Sequence, residues 1–328
     1  MATKVIKKRG KVPPSAQMVS PAASNPLISD SKLKQLYSTM LQCRILNQRV
    51  RELRGLSAKT ARLFGGEAAA VGAALDLRRD DWLAPLPLDV LGKFLKEVPL
   101  TSIFSELRLA EPAKDPSANV PSASSLRENH SPFHIVPNAA NPASQLNLAA
   151  GVALALQAAK KGNIVMAFCG DTSDSGQRWH QVLTFAGRNC LPLVVVVQVK
   201  AQVKVSGKRK DPFVSQITEE HACGLPVIPV DAHDVVAIYR VACESIHKAR
   251  HGGGPTLIEA TELSERLDRR SETTSGGVRP DAVDRMEDYL AAKGLFSPSW
   301  KQKLTDSFNH EADSAIAAVK KPPLRKRF

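Results

Sequence analysis

Between residues 28 and 54 the apolar positions Leu33, Leu36, Tyr37, Met40, Leu41 and Ile45 recur three or four apart. That spacing puts them on one helical face, so a long helix is predicted here, capped by Ser29 or Asp30. A second helical piece, GGEAAAVGAALDL (65–77), is rich in Ala and Gly, small residues that let helices approach closely. The pattern then breaks. Residues 111–143 are dense in Pro, Ser and Asn and read as an irregular surface loop; a loop of that length inside a domain is either functional or disordered.

Beyond the loop, helical and strand periods alternate. QLNLAAGVALALQAAKKG predicts a helix, NIVMAFC a buried strand, and SGQRWHQVLTFAGRN a helix with Trp179, Val182, Leu183 and Ala186 on one face. LPLVVVVQV, PVIPV and TLIEAT read as strands, the last two separated by the helix DVVAIYRVACESIHKAR. Two more helices, about 281–293 and 298–319, follow. Apolar strands alternating with helices imply α/β architecture, a doubly wound parallel sheet covered on both faces, with helical N- and C-terminal extensions. With 328 residues, 43% of them apolar, the chain has ample material for a core.

The net charge of +13 suggests a nucleic-acid partner until it is divided along the chain. Residues 1–29 hold five basic side chains and no acid, and residues 320–328 hold five more, leaving only +3 for the body. Basic tails on a near-neutral body are solvated ends rather than a binding groove, which argues against nucleic acid; salt-sensitive binding of an acidic partner by the tails is the weaker alternative. The expected division is a basic disordered tail at 1–25, one α/β domain at 26–319, and a basic tail at 320–328. Five scattered cysteines without a CxxC pair argue against both a disulfide framework and a zinc site, and for a reducing compartment. No apolar run is long enough to span a membrane, and no secretion signal is evident at the N-terminus. The first residues have a transit peptide's charge but rely on Lys and Pro rather than Arg, so the expected location is cytoplasmic.

In a parallel α/β sheet, ligands sit beyond the carboxyl ends of the strands. The turn Gly170-Asp171-Thr172-Ser173 follows such an end and leads into a helix, whose N-terminal amides favour anions. An aspartate there suits Mg²⁺, which takes oxygen ligands from one or two carboxylates plus phosphate. Taken alone, Gly-Asp is equally a strand-ending turn.

The surrounding text is more specific. SQLNLAAGVALA, VMAFCGD, WHQVLTFAGRNCLPLVVVV and VDAHDVVAIYRVACESIHKARHGGGPTLIEAT, in that order, resemble the alpha subunit of thiamine-diphosphate-dependent 2-oxo acid dehydrogenases. These are the decarboxylating components acting on pyruvate, branched-chain 2-oxo acids or acetoin. The resemblance extends over roughly residues 26 to 323. It implies a thiamine-diphosphate-binding fold, thiamine diphosphate and Mg²⁺ as cofactors, and oxidoreductase chemistry with a disulfide as acceptor. It also implies a beta-type subunit or a second copy as partner, in a dimer or an α₂β₂ assembly, within a possible acyltransferase complex.

The family's motif is Gly-Asp-Gly, a gap, then Asn-Asn, with the Asp and the second Asn on the metal. Aligned without insertion, the resemblance assigns cofactor contacts to Gly170, Asp171, Thr172, Ser173, Lys200 and Gln202, and metal ligation to Asp171 and to the Gln202 carbonyl. Asp171 and Lys200 keep the family's spacing of 29 residues, yet the second glycine is Thr172 and the Asn pair is Val199-Lys200. Two unit charges 4 Å apart interact by about 4 kcal/mol at an effective dielectric of 20, so an ammonium that close to a divalent ion repels it by roughly twice as much. Three arrangements remain open: an emptied site with Lys200 paired to Asp171, metal-free anion binding by Lys200 with Lys204, Lys208, Arg209 and Lys210, and a weakened metal site.

Other family positions depart too. The pattern His-Leu-x-x-Gly-Gln-Glu-Ala reads ARLFGGEA, placing Ala61 at the histidine. The Tyr-Arg pair after Asp-Asp-Trp is replaced by Pro87 and Leu88. NAANPAS stands for a Gly-rich loop, with Ala139 at its polar catalytic position and Ala140 and Pro142 along the cofactor. SERLDRRSE replaces the His-Gly-His-Ser loop. Alanine and leucine neither transfer protons nor bind diphosphate, so no catalytic residue is assigned. His180 reads as a packing or hydrogen-bonding residue, and His233 as polar surface at a turn. His130 and His134 fall in the long loop, and Ser175 is most simply a helix cap. The expectation is a homologue of these alpha subunits degraded into a structural or regulatory paralogue; the alternative is an active decarboxylating subunit working with a beta chain.

Overall fold

Runs of Val, Ile, Leu and Ala become five parallel strands: β1 (Trp82–Ala84), β2 (Val165–Gly170), β3 (Leu193–Lys200), β4 (Val227–Asp231) and β5 (Thr256–Glu262). They are ordered β1-β2-β3-β5-β4, and every pairing is parallel. The computed structural model describes residues 28–54, 66–85, 90–109, 131–137, 142–170, 176–200, 225–262 and 281–320. Both basic tails lie outside these residues, except for Lys320.

The helices are α1 (Asp30–Arg54), α2 (Glu67–Ala74), α3 (Leu91–Leu95), α4 (Leu100–Leu109), α5 (Pro142–Ala159), α6 (Gly176–Arg188), α7 (Val235–Arg250), α8 (Ala282–Ala292) and α9 (Pro298–Lys320). Strand alternation sorts the core into two layers. Val195, Val197 and Val199 of β3 face α5 and α6, packing with Leu146, Ala153 and Trp179. Val194 and Val196 face the other way, against Ala69 and Ala73 of α2 and Ile238 and Ala242 of α7. A separate cluster joins α1, α3, α4, α8 and α9 through Leu36, Tyr37, Met40, Ile103 and Phe308. The doubly wound parallel sheet with helical extensions is therefore present.

Local chemistry matches the sequence at several ends. Ser29 caps α1, its hydroxyl accepting from Lys32 N at 3.3 Å, and the Asp234 carboxylate caps α7 by accepting from Ala237 N at 3.0 Å. The loop expected over 111–143 is corrected at its end. Pro142 begins α5, where its missing N–H costs nothing. Ile135 bridges Leu83 of β1, and with Val136 it is buried. Strand β1 and helices α3 and α4 did not emerge from the pattern; three and five residues are too short for β1 or α3 to show a period.

Two aspartates make the fold acid-sensitive. Burial alone raises the Asp76 pKa, but hydrogen bonds from the Tyr239 hydroxyl and the Lys32 ammonium outweigh it and hold the carboxyl below its ordinary 3.8. Burial likewise pushes Asp231 up, while the His233 amide and the Arg285 guanidinium bring it down. A depressed carboxylate contributes stability above its unfolded pKa and loses it as pH falls through the folded value. The urea midpoint is therefore expected to drop from about pH 4 downward, and Asp76→Asn or Asp231→Asn should flatten that drop relative to the native chain.

Candidate functional site

The carboxyl edge of the sheet gathers the chain ends that the sequence singles out. β2 ends at Gly170, whose register partner is Gln198 on β3. β3 runs two residues further, pairing Val199 with Thr261 and Lys200 with Glu262 on β5. Lys200 thus has an acidic register neighbour that sequence reading missed, because parallel register is a tertiary property. Val199 is only 3% exposed and belongs to the core layer under α5 and α6.

Helix α2 enters the same edge. Its cap residue Gly66 has φ 123°, a conformation that side-chain-bearing residues rarely adopt. A Cβ at Gly66 would overlap the Gln198 amide nitrogen and sit 2.9 Å from its Cδ. Helix and strand therefore meet through the Gln198 carboxamide lying over a bare backbone. Gly66 also stands where the family pattern His-Leu-x-x-Gly-Gln-Glu-Ala carries its glutamine, so the segment ARLFGGEA itself signals this replacement. Glu67, retained from that pattern, accepts a long 3.4 Å hydrogen bond from Asn47 of α1.

At the far end of the edge, Arg285 bridges Asp231 of β4 and Asp234 of α7 at 2.6 and 3.0 Å. His233 Nδ1 lies 3.6 Å from Asp231. Arg240, Met286 and Tyr289 join His233 around a cavity of about 320 Å³ between α7 and α8. His233 thus lines a cleft instead of standing on open surface. Cys169, next to Gly170, is fully buried, and that burial pushes its thiol pKa well above the usual range.

Among the expected cofactor contacts, the structure brings Gly170 and the Lys200 backbone to this edge, and makes Pro142 the first residue of α5. Ala140, Asp171, Thr172, Ser173 and Gln202 lie outside the described residues. So do Ala61, Pro87, Leu88, His130, Ala139, Ser175, Lys204, Lys208, Arg209, Lys210 and the SERLDRRSE segment. The proposed pairing of Lys200 with Asp171 falls there too. His180 is half-buried on α6. His134, with φ 53°, sets its ring edge-on to Trp82 at 5.3 Å, and its carbonyl accepts from Leu83 N. Among the described residues no three His, Cys, Asp or Glu side chains converge, and no helix is long and apolar enough to cross a membrane.

The fold is thus a parallel α/β sheet with Gly170 at the end of β2 and helix α2 entering on Gly66 beside β3. The chain belongs to the Dehydrogenase E1 component family, whose profile matches residues 35–326. It is 26% identical over 324 residues to the pyruvate dehydrogenase E1 component subunit alpha of Bacillus subtilis, covering 93% of this chain and 82% of that one. It is 28% identical over 313 residues to the 3-methyl-2-oxobutanoate dehydrogenase subunit alpha of Mycobacterium tuberculosis, covering 89% and 79%. The similarity therefore runs through nearly the whole chain and most of each relative.

Proposed function

We propose that this chain is a catalytically degraded homologue of 2-oxo acid dehydrogenase alpha subunits, acting as a structural or regulatory partner rather than as a decarboxylase. The observation that carries this reading is the end of β3. Where the family motif has its first asparagine, Val199 is packed into the core at 3% exposure. The second asparagine, which the family motif places on the metal, is Lys200, whose ammonium has no acceptor and repels a cation, and the valine beside it turns its side chain into the core. Hard cations such as Mg²⁺ need oxygen ligands, so the residues at this strand end do not fit a magnesium diphosphate, and no reaction step is derived through it. The non-polar replacements at Ala61, Leu88 and Ala139 point the same way.

The alternative, an active alpha subunit, draws on Gly170 and Asp171 at the family's spacing from position 200. The proposed setting is cytoplasmic, with a beta-type chain or a second copy as partner and an acyltransferase complex as the wider assembly. The proposed domain bounds are 26–319 between two basic tails. Thiamine diphosphate with Mg²⁺ is the probe that separates the readings. The variant Thr172→Gly, Val199→Asn, Lys200→Asn should bind it about tenfold or more tightly than the native chain by calorimetry, since each tenfold corresponds to about 1.4 kcal/mol and the removed repulsion is larger. No gain would mean that the pocket around the motif has closed as well, and tight binding by the native chain would sink the degraded reading.

A further inference from the structure

Helix α7 closes on the sequence His247-Lys248-Ala249-Arg250-His251, with His251 as its C-terminal cap. Residues four apart share a helical face, and both histidines are exposed. Their rings lie 4.1 Å apart between centroids, tilted by 35°. Basic side chains at a helix C-terminus ordinarily serve to complement the dipole, yet the two permanent cations of this turn are committed elsewhere. Lys248 donates to the Pro255 carbonyl at 2.7 Å and to the Thr256 hydroxyl at 3.3 Å. Arg250 is held by Asp81 and by the Gly162 carbonyl. The two imidazoles are what this turn presents to solvent.

The orientation of His251 adds a second observation. Its Nδ1 lies 2.7 Å from the His247 carbonyl oxygen. A carbonyl only accepts, so Nδ1 carries the hydrogen, and Nε2 of the neutral ring is left with a lone pair. The same oxygen accepts from the His251 backbone amide at 3.2 Å, so the helix end itself sets the tautomer. One N–H given to a backbone carbonyl, with the other nitrogen open, is the arrangement that metal-bound histidines share.

The donor type selects the ion. Neutral imidazole suits zinc, copper and nickel, whereas Mg²⁺ and Ca²⁺ take oxygen. Zn–N bonds of about 2.0–2.1 Å at a tetrahedral angle put two nitrogens about 3.3 Å apart. Rings 4.1 Å apart reach that by side-chain rotation at an exposed position. The partial negative charge of the helix C-terminus favours a cation there, and exposed Glu244, one turn before His247, adds to it. We infer that His247 and His251 form a two-histidine site for a divalent zinc-like cation at the end of α7, with water completing its shell. Among the described residues no third such ligand converges, so the site exchanges its metal, unlike a closed four-ligand structural centre. A cation held by both rings clamps the turn that delivers Arg250 to Asp81. Helix α7 runs from the end of β4 back to the start of β5, which places the pair at the amino edge of the sheet, opposite the candidate cofactor edge. Occupancy is therefore separable from thiamine diphosphate binding.

Calorimetric titration of the metal-free full-length chain with Zn²⁺ tests the site. Saturable binding in the micromolar range is expected. His247→Gln and His251→Gln should each remove one zinc from the stoichiometry or weaken that site tenfold or more, with far-UV circular dichroism unchanged. Zn²⁺ should raise the thermal midpoint of the native chain but not of either variant, since only a ligand that prefers the folded state stabilises it; Mg²⁺ should do so in none of them. With Cu²⁺ as the probe, electron paramagnetic resonance should show coupling to two imidazole nitrogens, and to one fewer in each variant. Absence of saturable zinc binding, zinc binding that survives both substitutions, or equal binding of Mg²⁺ would each overturn the inference.

Discussion

Asp81→Ala is expected to remove about 3–5 kcal/mol of folding stability, the usual cost of breaking a buried ion pair by deleting one partner. Asp81 is fully buried, and Arg250 is 10% exposed on its side chain. The guanidinium donates to both carboxylate oxygens, at 3.0 and 2.7 Å. The same carboxylate accepts from Arg78 N at 2.8 Å and Ile164 N at 3.0 Å. One side chain thus ties the turn before β1, the residue entering β2 and the end of α7. Lys96 seals the turn from outside, its ammonium donating to the carbonyls of Arg78, Arg79 and Asp81. Without Asp81, Arg250 keeps only the Gly162 carbonyl among its hydrogen bonds here. Domains are stable by only about 5–15 kcal/mol, so the urea midpoint should fall by roughly a fifth or more. Asp81→Leu combined with Arg250→Met should cost less than either single change. Simple additivity of the two would contradict this account of the pair.

Gly66→Ala is expected to cost about 1–3 kcal/mol from two separable sources, the larger in the backbone. A side chain at φ 123° is in a sparsely populated conformation, worth roughly 1–3 kcal/mol. The new methyl would also meet the Gln198 carboxamide, but that is the far end of a flexible side chain and can swing aside, so the steric part is the smaller one. Gln198→Ala should be mild alone, and in that background Gly66→Ala should lose the steric part and keep the backbone part. Urea unfolding of the four proteins reads the coupling directly. Equal costs in both backgrounds would show that helix α2 and strand β3 do not meet through these residues.

What the sequence displayed was what local chemistry determines. The apolar runs of β2 and β3 could hardly be anything but buried strands, and Ser29, one of two candidate caps, announced its helix by its side-chain oxygen, whereas the Asp234 cap went unread. β1 stayed hidden because three residues have no period; its place is set by Leu83 pairing with both Met166 and Ile135. Pro142 looked like loop because proline suits both a loop and a first helical turn. The site was legible as a list of replacements but not as an arrangement. That Gln198 covers Gly66, and that Lys200 neighbours Glu262, follows from the parallel register and the angle at which α2 arrives. The Asp-Asp-Trp motif divides along the same line. Asp81, which holds the scaffold, is retained, while the positions that follow it and would hold diphosphate have become Pro87 and Leu88. Val199 makes a related point, as a residue good for the core beside Lys200, the position where the metal needs an oxygen.

The most direct test is an isothermal titration of the native full-length chain, alone and with a beta-type chain, using thiamine diphosphate and Mg²⁺. The account predicts no saturable heat in the micromolar range under either condition. Saturable micromolar binding would contradict it and make the chain a working alpha subunit.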